Sequence, residues 1–273
     1  MMNYLDKLTK AKDYIQSRIN IIPDTLVILG SGLGDFSKVL ENTLTIPYSE
    51  IPYFNFTQVE GHSGELHMGL LNKKWVFCMN GRNHYYEGAS DEEMRFPIQL
   101  FATLNVKNVI VTNACGGMNS SFKPGDLMVI EDHINLMGRN PLIGRNLDTI
   151  GPRFSDMSQA YDEEFLIRIQ KIAKTEKIEL KKGIYVGYSG PNYETKAEIK
   201  AFSILGGDAV GMSTVPEVIV ANHAKMRVLG ISCITNMATG LQKNRLTHDE
   251  VLETSRKALN SFSTLVSKFI DTL

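Results

Sequence analysis

Short apolar runs alternate with amphipathic helical segments along this chain, and that alternation limits the fold more than any other feature of it. Residues 3–20 place Leu5, Leu8, Ile15 and Ile19 near one helical face. Residues 91–105, 194–205, 216–226 and 247–270 read as further helices. Residues 25–29, 66–71, 75–79, 108–112, 127–131, 184–188 and 228–234 read as strands. Asn72-Lys73-Lys74 joins the second and third of these strands, which predicts a hairpin. Strands interleaved with helices require a sheet covered on both faces. The hairpin and the uneven spacing predict a mixed sheet rather than a purely parallel one. Residues 1–273 carry no repeat, low-complexity tract or linker, so one domain is expected.

Segment 136–154, LMGRNPLIGRNLDTIGPRF, has three glycines, two prolines and no clear period. A long loop inside a compact domain is often functional, and a solvated surface excursion fits it equally.

The charge balance removes whole classes of function. The net charge is −1, and no Lys/Arg cluster exceeds a few residues. A dedicated nucleic-acid or anionic-membrane binder draws its affinity from phosphate neutralisation, so neither partner is expected. The segment MMNYLDKLTKAKDYIQ lacks the apolar core of a signal peptide. No later stretch is apolar for long enough to span a membrane, and a cytoplasmic location is expected. Cys78, Cys115 and Cys233 lie far apart with no CxxC pair, so reduced, mostly buried thiols are expected rather than disulfides or a metal site.

The stretch VILGSGLGDF (27–36) ends a strand in three glycines. A dinucleotide fingerprint, G-x-G-x-x-G, starting at Gly30 needs glycine where Asp35 stands. A carboxylate there would face a pyrophosphate, so a dehydrogenase is disfavoured. The Walker pattern also fails, because no Gly-Lys-Ser/Thr follows. What remains is a tight turn with bare backbone N–H groups and the Ser31 hydroxyl, fit to hold one phosphate or simply to turn the chain.

Three more segments suit an anion. GRNHYYEG (81–88) presents Arg82 and His84 two residues apart, on one side if extended. GMSTVPE (211–217) puts Ser213 before a helix opened by Pro216, where free N–H groups and a positive partial charge gather. TNACGG (112–117) ends a strand whose backbone can approach a ligand closely. Each has a plain structural alternative: a surface ion pair for Arg82, a cap for Ser213. Four such strand ends in one domain favour the anion.

GSGLG, EGHSGELHMG, NGRNHYYEGAS, VTNACGGMN, GPNYET, GGDAVGMSTVPEVIVA and ITNMATG occur in this order across residues 30–240. In these motifs the chain closely resembles the low-mass, homotrimeric purine nucleoside phosphorylases. The resemblance implies a three-layer α/β/α sandwich around a mixed, partly barrel-like sheet. It implies that a purine nucleoside and inorganic phosphate give free base and (deoxy)ribose 1-phosphate, a step of purine salvage. It implies no metal and no organic cofactor, phosphate being a substrate, and a homotrimer. On the family pattern Ser31, His62, Arg82, His84, the backbone of Ala114, and Ser213 hold phosphate, with Glu87 close by. Tyr86 and Met212 line the ribose, and Tyr193 stacks on the purine.

Cleaving an N-glycosidic bond builds positive charge on the sugar. With phosphate as nucleophile no carboxylate pair is needed, and the protein has to align phosphate and accept charge on the departing base. The candidate catalytic set is Asn236, Glu194, His84 and His248. The Asn236 amide can donate to N7 and interact with O6, and Glu194 can accept from N1–H. Adenine lacks that proton, so inosine and guanosine are the expected substrates. Related methylthioadenosine phosphorylases carry Asp at the position of Asn236 and are the runner-up. A catalytically silent nucleoside-binding protein on the same fold is a reading of a different class. Thr247 and Glu250 fit a capping box, which puts His248 in the first turn of a helix. There a neutral imidazole can reach the ribose 5′-hydroxyl. In the family a Phe before the RF pair (Arg153-Phe154) enters the neighbouring subunit's pocket, and the aligned residue here is Ile150. Cys115 is expected to be a tightly fitting small side chain, and His67, His133 and His223 to be structural.

Overall fold

The computed structural model describes residues 3–56, 63–242 and 248–273, with backbone only at 248 and 249. Nine strands form one sheet: β1 (Thr25–Leu29), β2 (Glu41–Pro47), β3 (Glu65–Leu71), β4 (Lys74–Asn80), β5 (Asn108–Gly117), β6 (Leu127–Asn135), β7 (Leu180–Gly187), β8 (Ala209–Gly211) and β9 (Arg227–Met237). Among the described residues six α-helices accompany them: α1 (Tyr4–Arg18), α2 (Asp91–Thr103), α3 (Glu163–Thr175), α4 (Lys196–Ile204), α5 (Val215–His223) and α6 (His248–Asp271).

The strand order is β2-β3-β4-β1-β5-β8-β7-β6-β9, and β9 also pairs with β5. Strands β5, β8, β7, β6 and β9 therefore close on themselves as a small barrel, with β1, β4, β3 and β2 extending from β5 as a wing. Pairings are parallel for β1–β4, β1–β5 and β5–β9, and antiparallel for β3–β4, β5–β8 and β6–β9. The mixed, partly barrel-like sheet expected from the sequence is thus present.

Period-two alternation divides the core between the two faces. In β1, Leu26 and Ile28 join the cluster beneath α1, α2 and α5, while Val27 and Leu29 join the cluster beneath α3 and α6. Leu8, Ala11 and Ile15 form the buried stripe of α1, and Leu5 stays at the surface. In α6 the buried stripe includes Phe262, Val266 and Phe269. The 72–74 hairpin is tighter than read: Asn72 and Lys73 both have positive φ, 48° and 73°, the geometry that matches the twist of the flanking strands.

Three elements lie outside the expectations and two helix boundaries need correction. Helix α3 is one of the three, although Asp162 caps it and Phe165, Ile169 and Ala173 repeat at four-residue steps. Strand β2 lacks a clean alternation and β8 has only three residues, so neither carried a signal. Residue 194 does not begin a helix: the Thr195 side chain caps α4 in a box with Glu198, so Tyr193 and Glu194 stand in the loop before it. Pro216 is in the first turn of α5, but the helix starts at Val215 and ends at His223.

Candidate active site

Ser31, Arg82, His84, Tyr86, Ala114, Tyr193, Glu194, Met212, Ser213 and Asn236 line one open cleft. These ten residues come from the ends of β1 and β4, from β5 and β9, and from the loops before α4 and α5.

The turn after β1 closes through the Leu33 N–H on the Gly30 carbonyl, 3.0 Å. Gly32 has φ 76°, and a Cβ on it would lie 2.5 Å from the Ser255 Cβ of α6. The glycine both permits the left-handed backbone and lets the helix touch the turn.

Beyond β4, the Arg82 guanidinium donates to Glu217 Oε1 at 3.1 Å, to the Ile28 carbonyl at 3.4 Å and to the Thr112 carbonyl. The ion pair considered for Arg82 exists, but it is interior rather than superficial: the two side chains are 3% and 7% exposed. The carboxylate of Glu87 accepts from the His84 backbone N–H at 2.9 Å and from His84 Nδ1 at 2.8 Å. An ionised carboxylate only accepts, so Nδ1 carries the proton, and the imidazole also stacks on Tyr86 at 4.7 Å. Glu87 therefore orients His84.

Ser213 opens a γ-turn. The Val215 N–H donates to the Ser213 carbonyl at 2.8 Å, and Thr214 between them has φ 73° and ψ −54°. Thr214, not Ser213, is the residue at the start of α5, and its side chain does not cap the helix.

Opposite chemistry occupies the other elements. Thr235 is extra in the β5–β9 register, where Cys115 faces Ile234 and Gly116 faces Asn236. A bulge of this kind re-aims the next side chain. The Thr235 hydroxyl donates to Asn236 Oδ1 at 2.9 Å, and Asn236 Nδ2 donates to the Met237 carbonyl at 3.2 Å, which fixes the amide's orientation. Glu194 is 5% exposed, and burial raises its pKa above the ordinary 4.5. Tyr193 keeps a face open at 41% exposure.

His62 lies outside the described residues, as do the His248 side chain and Thr247 of the expected capping box; α6 does begin at residue 248. Ile150 packs against the chain's own core instead of projecting, while Phe154 is 88% exposed. Cys115 lines the cleft, but burial pushes its thiol pKa far up, so it stays protonated and inert. All three cysteines are free and buried. The sequence reading missed Asn113, Thr235 and Val251, which also line the cleft. Among the described residues no cluster of three or more His, Cys, Asp or Glu could hold a metal, and no helix is long and apolar enough to cross a membrane.

Comparison with known proteins agrees with this geometry. A family model described as the phosphorylase superfamily matches residues 24–271. Purine nucleoside phosphorylase 1 of Bacillus subtilis is 49% identical over 265 residues, covering 97% of this chain and 98% of its own length. The purine nucleoside phosphorylase of Mus musculus is 43% identical, covering 99% and 96%. The structure of the Schistosoma mansoni purine nucleoside phosphorylase in complex with inosine superposes with a TM-score of 0.93 at 36% identity, covering 98% of this chain and 97% of that one. The chain belongs to the phosphorylase superfamily and, within it, to the purine nucleoside phosphorylases.

Proposed function

We propose that this member of the family splits 6-oxopurine nucleosides, inosine and guanosine, with inorganic phosphate. A phosphate oxygen bonds to the sugar C1′ as the C1′–N9 bond breaks, and its electron pair leaves with the purine. The single observation that carries this is the convergence on one cleft of anion donors (Ser31, Arg82, His84, Ser213) with a purine-edge pair (Glu194, Asn236). Ser31, the Ala114 backbone, Arg82, His84 and Ser213 seat the phosphate, Tyr86 and Met212 border the ribose, and Tyr193 covers the ring. Asn236 meets the charge growing at N7 and O6, and Glu194 accepts from N1–H. His62 and His248 belong to the same proposal through the family resemblance. The cationic sugar is stabilised by the phosphate dianion beneath it.

The Thr235 donation supports the 6-oxo preference, because it occupies the amide oxygen and leaves the Asn236 nitrogen as the group that meets an acceptor on the base. Incubation with inosine, with and without phosphate, tests the reading. Hypoxanthine and ribose 1-phosphate are expected only with phosphate. Equal hypoxanthine release without it would make the protein a hydrolase, and faster release of adenine from methylthioadenosine would favour the runner-up.

The same reading includes a homotrimer. The exposed Phe154, Ile143 and Leu136 on the 136–154 segment support a surface covered in the assembly. Light scattering of the purified chain distinguishes a trimer from a monomer.

A further inference from the structure

The buried partner of Arg82 has a role that the proposed reaction does not yet give it. Glu217 stands in the first turn of α5, four residues after Ser213, and is 5% exposed. Its Oε1 accepts from Arg82 Nη1 at 3.1 Å, while its Oε2 is buried with no hydrogen-bond partner among the described residues. The same guanidinium donates to carbonyls of Ile28 in β1 and Thr112 in β5. The elements that hold Arg82 are thus those that carry Ser31, Ala114 and Ser213 to the cleft.

We propose that Glu217 is a positioning residue that fixes the Arg82 guanidinium in the phosphate seat. This rests on the phosphorolysis reading above.

Two physical arguments carry it. An interior carboxylate with one unmatched oxygen is costly to keep, and an amide or an apolar side chain would fill the place without that cost. What the position supplies is therefore a charge, set where the positive end of α5 also favours an anion. Arg is long and rich in rotamers, and ordering it only when phosphate arrives would draw on the binding free energy. Held in advance by one carboxylate and two carbonyls, it meets phosphate without that ordering cost. Glu217 also keeps the guanidinium compensated when no phosphate is bound, since a lone buried charge is strongly destabilising. The pair crosses from β4 to α5, so it also sets the distance between the Arg82 side chain and the Ser213 turn.

The test measures the KM for phosphate at saturating inosine, the KM for inosine at saturating phosphate, and the melting temperature. The variants are Glu217→Ala, Glu217→Gln and Glu217→Asp. Glu217→Ala is expected to raise the phosphate KM by ~10-fold or more, as loss of preset geometry does. The inosine KM should stay within about twofold, and Glu217→Gln, which keeps an acceptor for Nη1, should recover part of the loss. If Glu217→Ala does not fold, the Gln and Asp variants carry the same comparison. An unchanged phosphate KM in a folded variant, or equal rises in both KM values, overturns the positioning role. A wild-type rate that does not depend on phosphate overturns instead the phosphorolysis on which it rests.

Discussion

The Asn113 side-chain amide donates to the Thr214 hydroxyl at 2.8 Å, and so ties the middle of β5 to a residue held at φ 73°. A β-branched residue at positive φ is strained by about 1–3 kcal/mol. The hydroxyl that anchors it also lies 3.2 Å from the Ser213 hydroxyl. Strain and anchor can be separated by substitution. Thr214→Ala keeps the strain and strips Asn113 of its acceptor, for a loss of ~1–3 kcal/mol. Thr214→Gly loses the same acceptor but relaxes the backbone. Thermal unfolding is expected to rank Gly above Ala. Both variants should bind phosphate more weakly, because the turn that aims Ser213 has lost its tether. Ala melting at or above Gly would mean that the γ-turn stores no strain.

The raised pKa of Glu194 has a sign that can be checked. A carboxyl whose folded pKa is raised contributes stability below its unfolded value, near 4.5, and loses it as pH rises through the folded value. Above the unfolded value the burial of Glu194 is therefore a cost to the ligand-free protein. Glu194→Gln should therefore melt at the same or a higher temperature at pH 7.5, with no such gain at pH 4. Its kcat/KM for inosine should fall by ~10²-fold or more, since a purine N1–H facing an amide has lost its charged acceptor. A variant with full inosine activity would refute the base assignment.

Three histidines pull the pH dependence the other way. His67, His133 and His223 all have pKa values lowered from 6.5, chiefly by desolvation. A depressed folded pKa means stability that is present above the unfolded value and lost as pH falls below it. Tm is expected to drop from pH 7 to 5.5. His223 Nε2 lies 3.0 Å from Asn146 Oδ1, which requires the proton on Nε2 and joins α5 to the 136–154 segment. His223→Gln should make the acid drop shallower, and scanning calorimetry at the two pH values measures it. An identical drop in the variant would remove His223 from the cause.

On the proposed reading, Asn236 selects the purine. The Thr235 hydroxyl occupies its oxygen and the Met237 carbonyl takes one bond from its nitrogen. Asn236→Asp replaces the donor by an acceptor, which suits a 6-amino group and repels O6. The ratio of adenosine to inosine kcat/KM is expected to rise by ~10-fold or more. Separate rate measurements on the two nucleosides give the ratio, and no change would show that Asn236 does not read position 6.

Much of this site was legible because turns and anion donors are written locally. Arg82 and His84 face the cleft as their spacing suggested, and Ser31 and Ser213 sit at the strand end and helix entry where the glycines and Pro216 placed them. Glu194 lies outside α4 because the T-x-x-E box of Thr195 and Glu198 marks where that helix begins. Asn113, Thr235 and Glu217 were silent for another reason. Asn113 and Glu217 act through partners 101 and 135 residues away and Thr235 through a bulge in register, and neither leaves a mark on local sequence. Barrel closure through β5 and β9 is non-local in the same way.

The GSGLG glycines make the last expectation. Their spacing suggests a nucleotide loop, but their surroundings give them steric duties. A Cβ on Gly30 would lie 2.6 Å from the Asn113 Cα, so β1 and β5 could not keep their register there. A Cβ on Gly32 would lie 2.5 Å from the Ser255 Cβ and would also need φ 76°. Ser255 is fully buried in α6, four residues after the cleft-lining Val251. Gly32→Ala should thus push α6 from the turn and cost ~2 kcal/mol or more, part strain and part overpacking. Gly32→Ala with Ser255→Gly removes the clash but not the backbone strain. It should recover some stability over Gly32→Ala alone, and chemical denaturation of the three proteins measures the coupling. Additive losses would show that the helix and the turn do not meet as described.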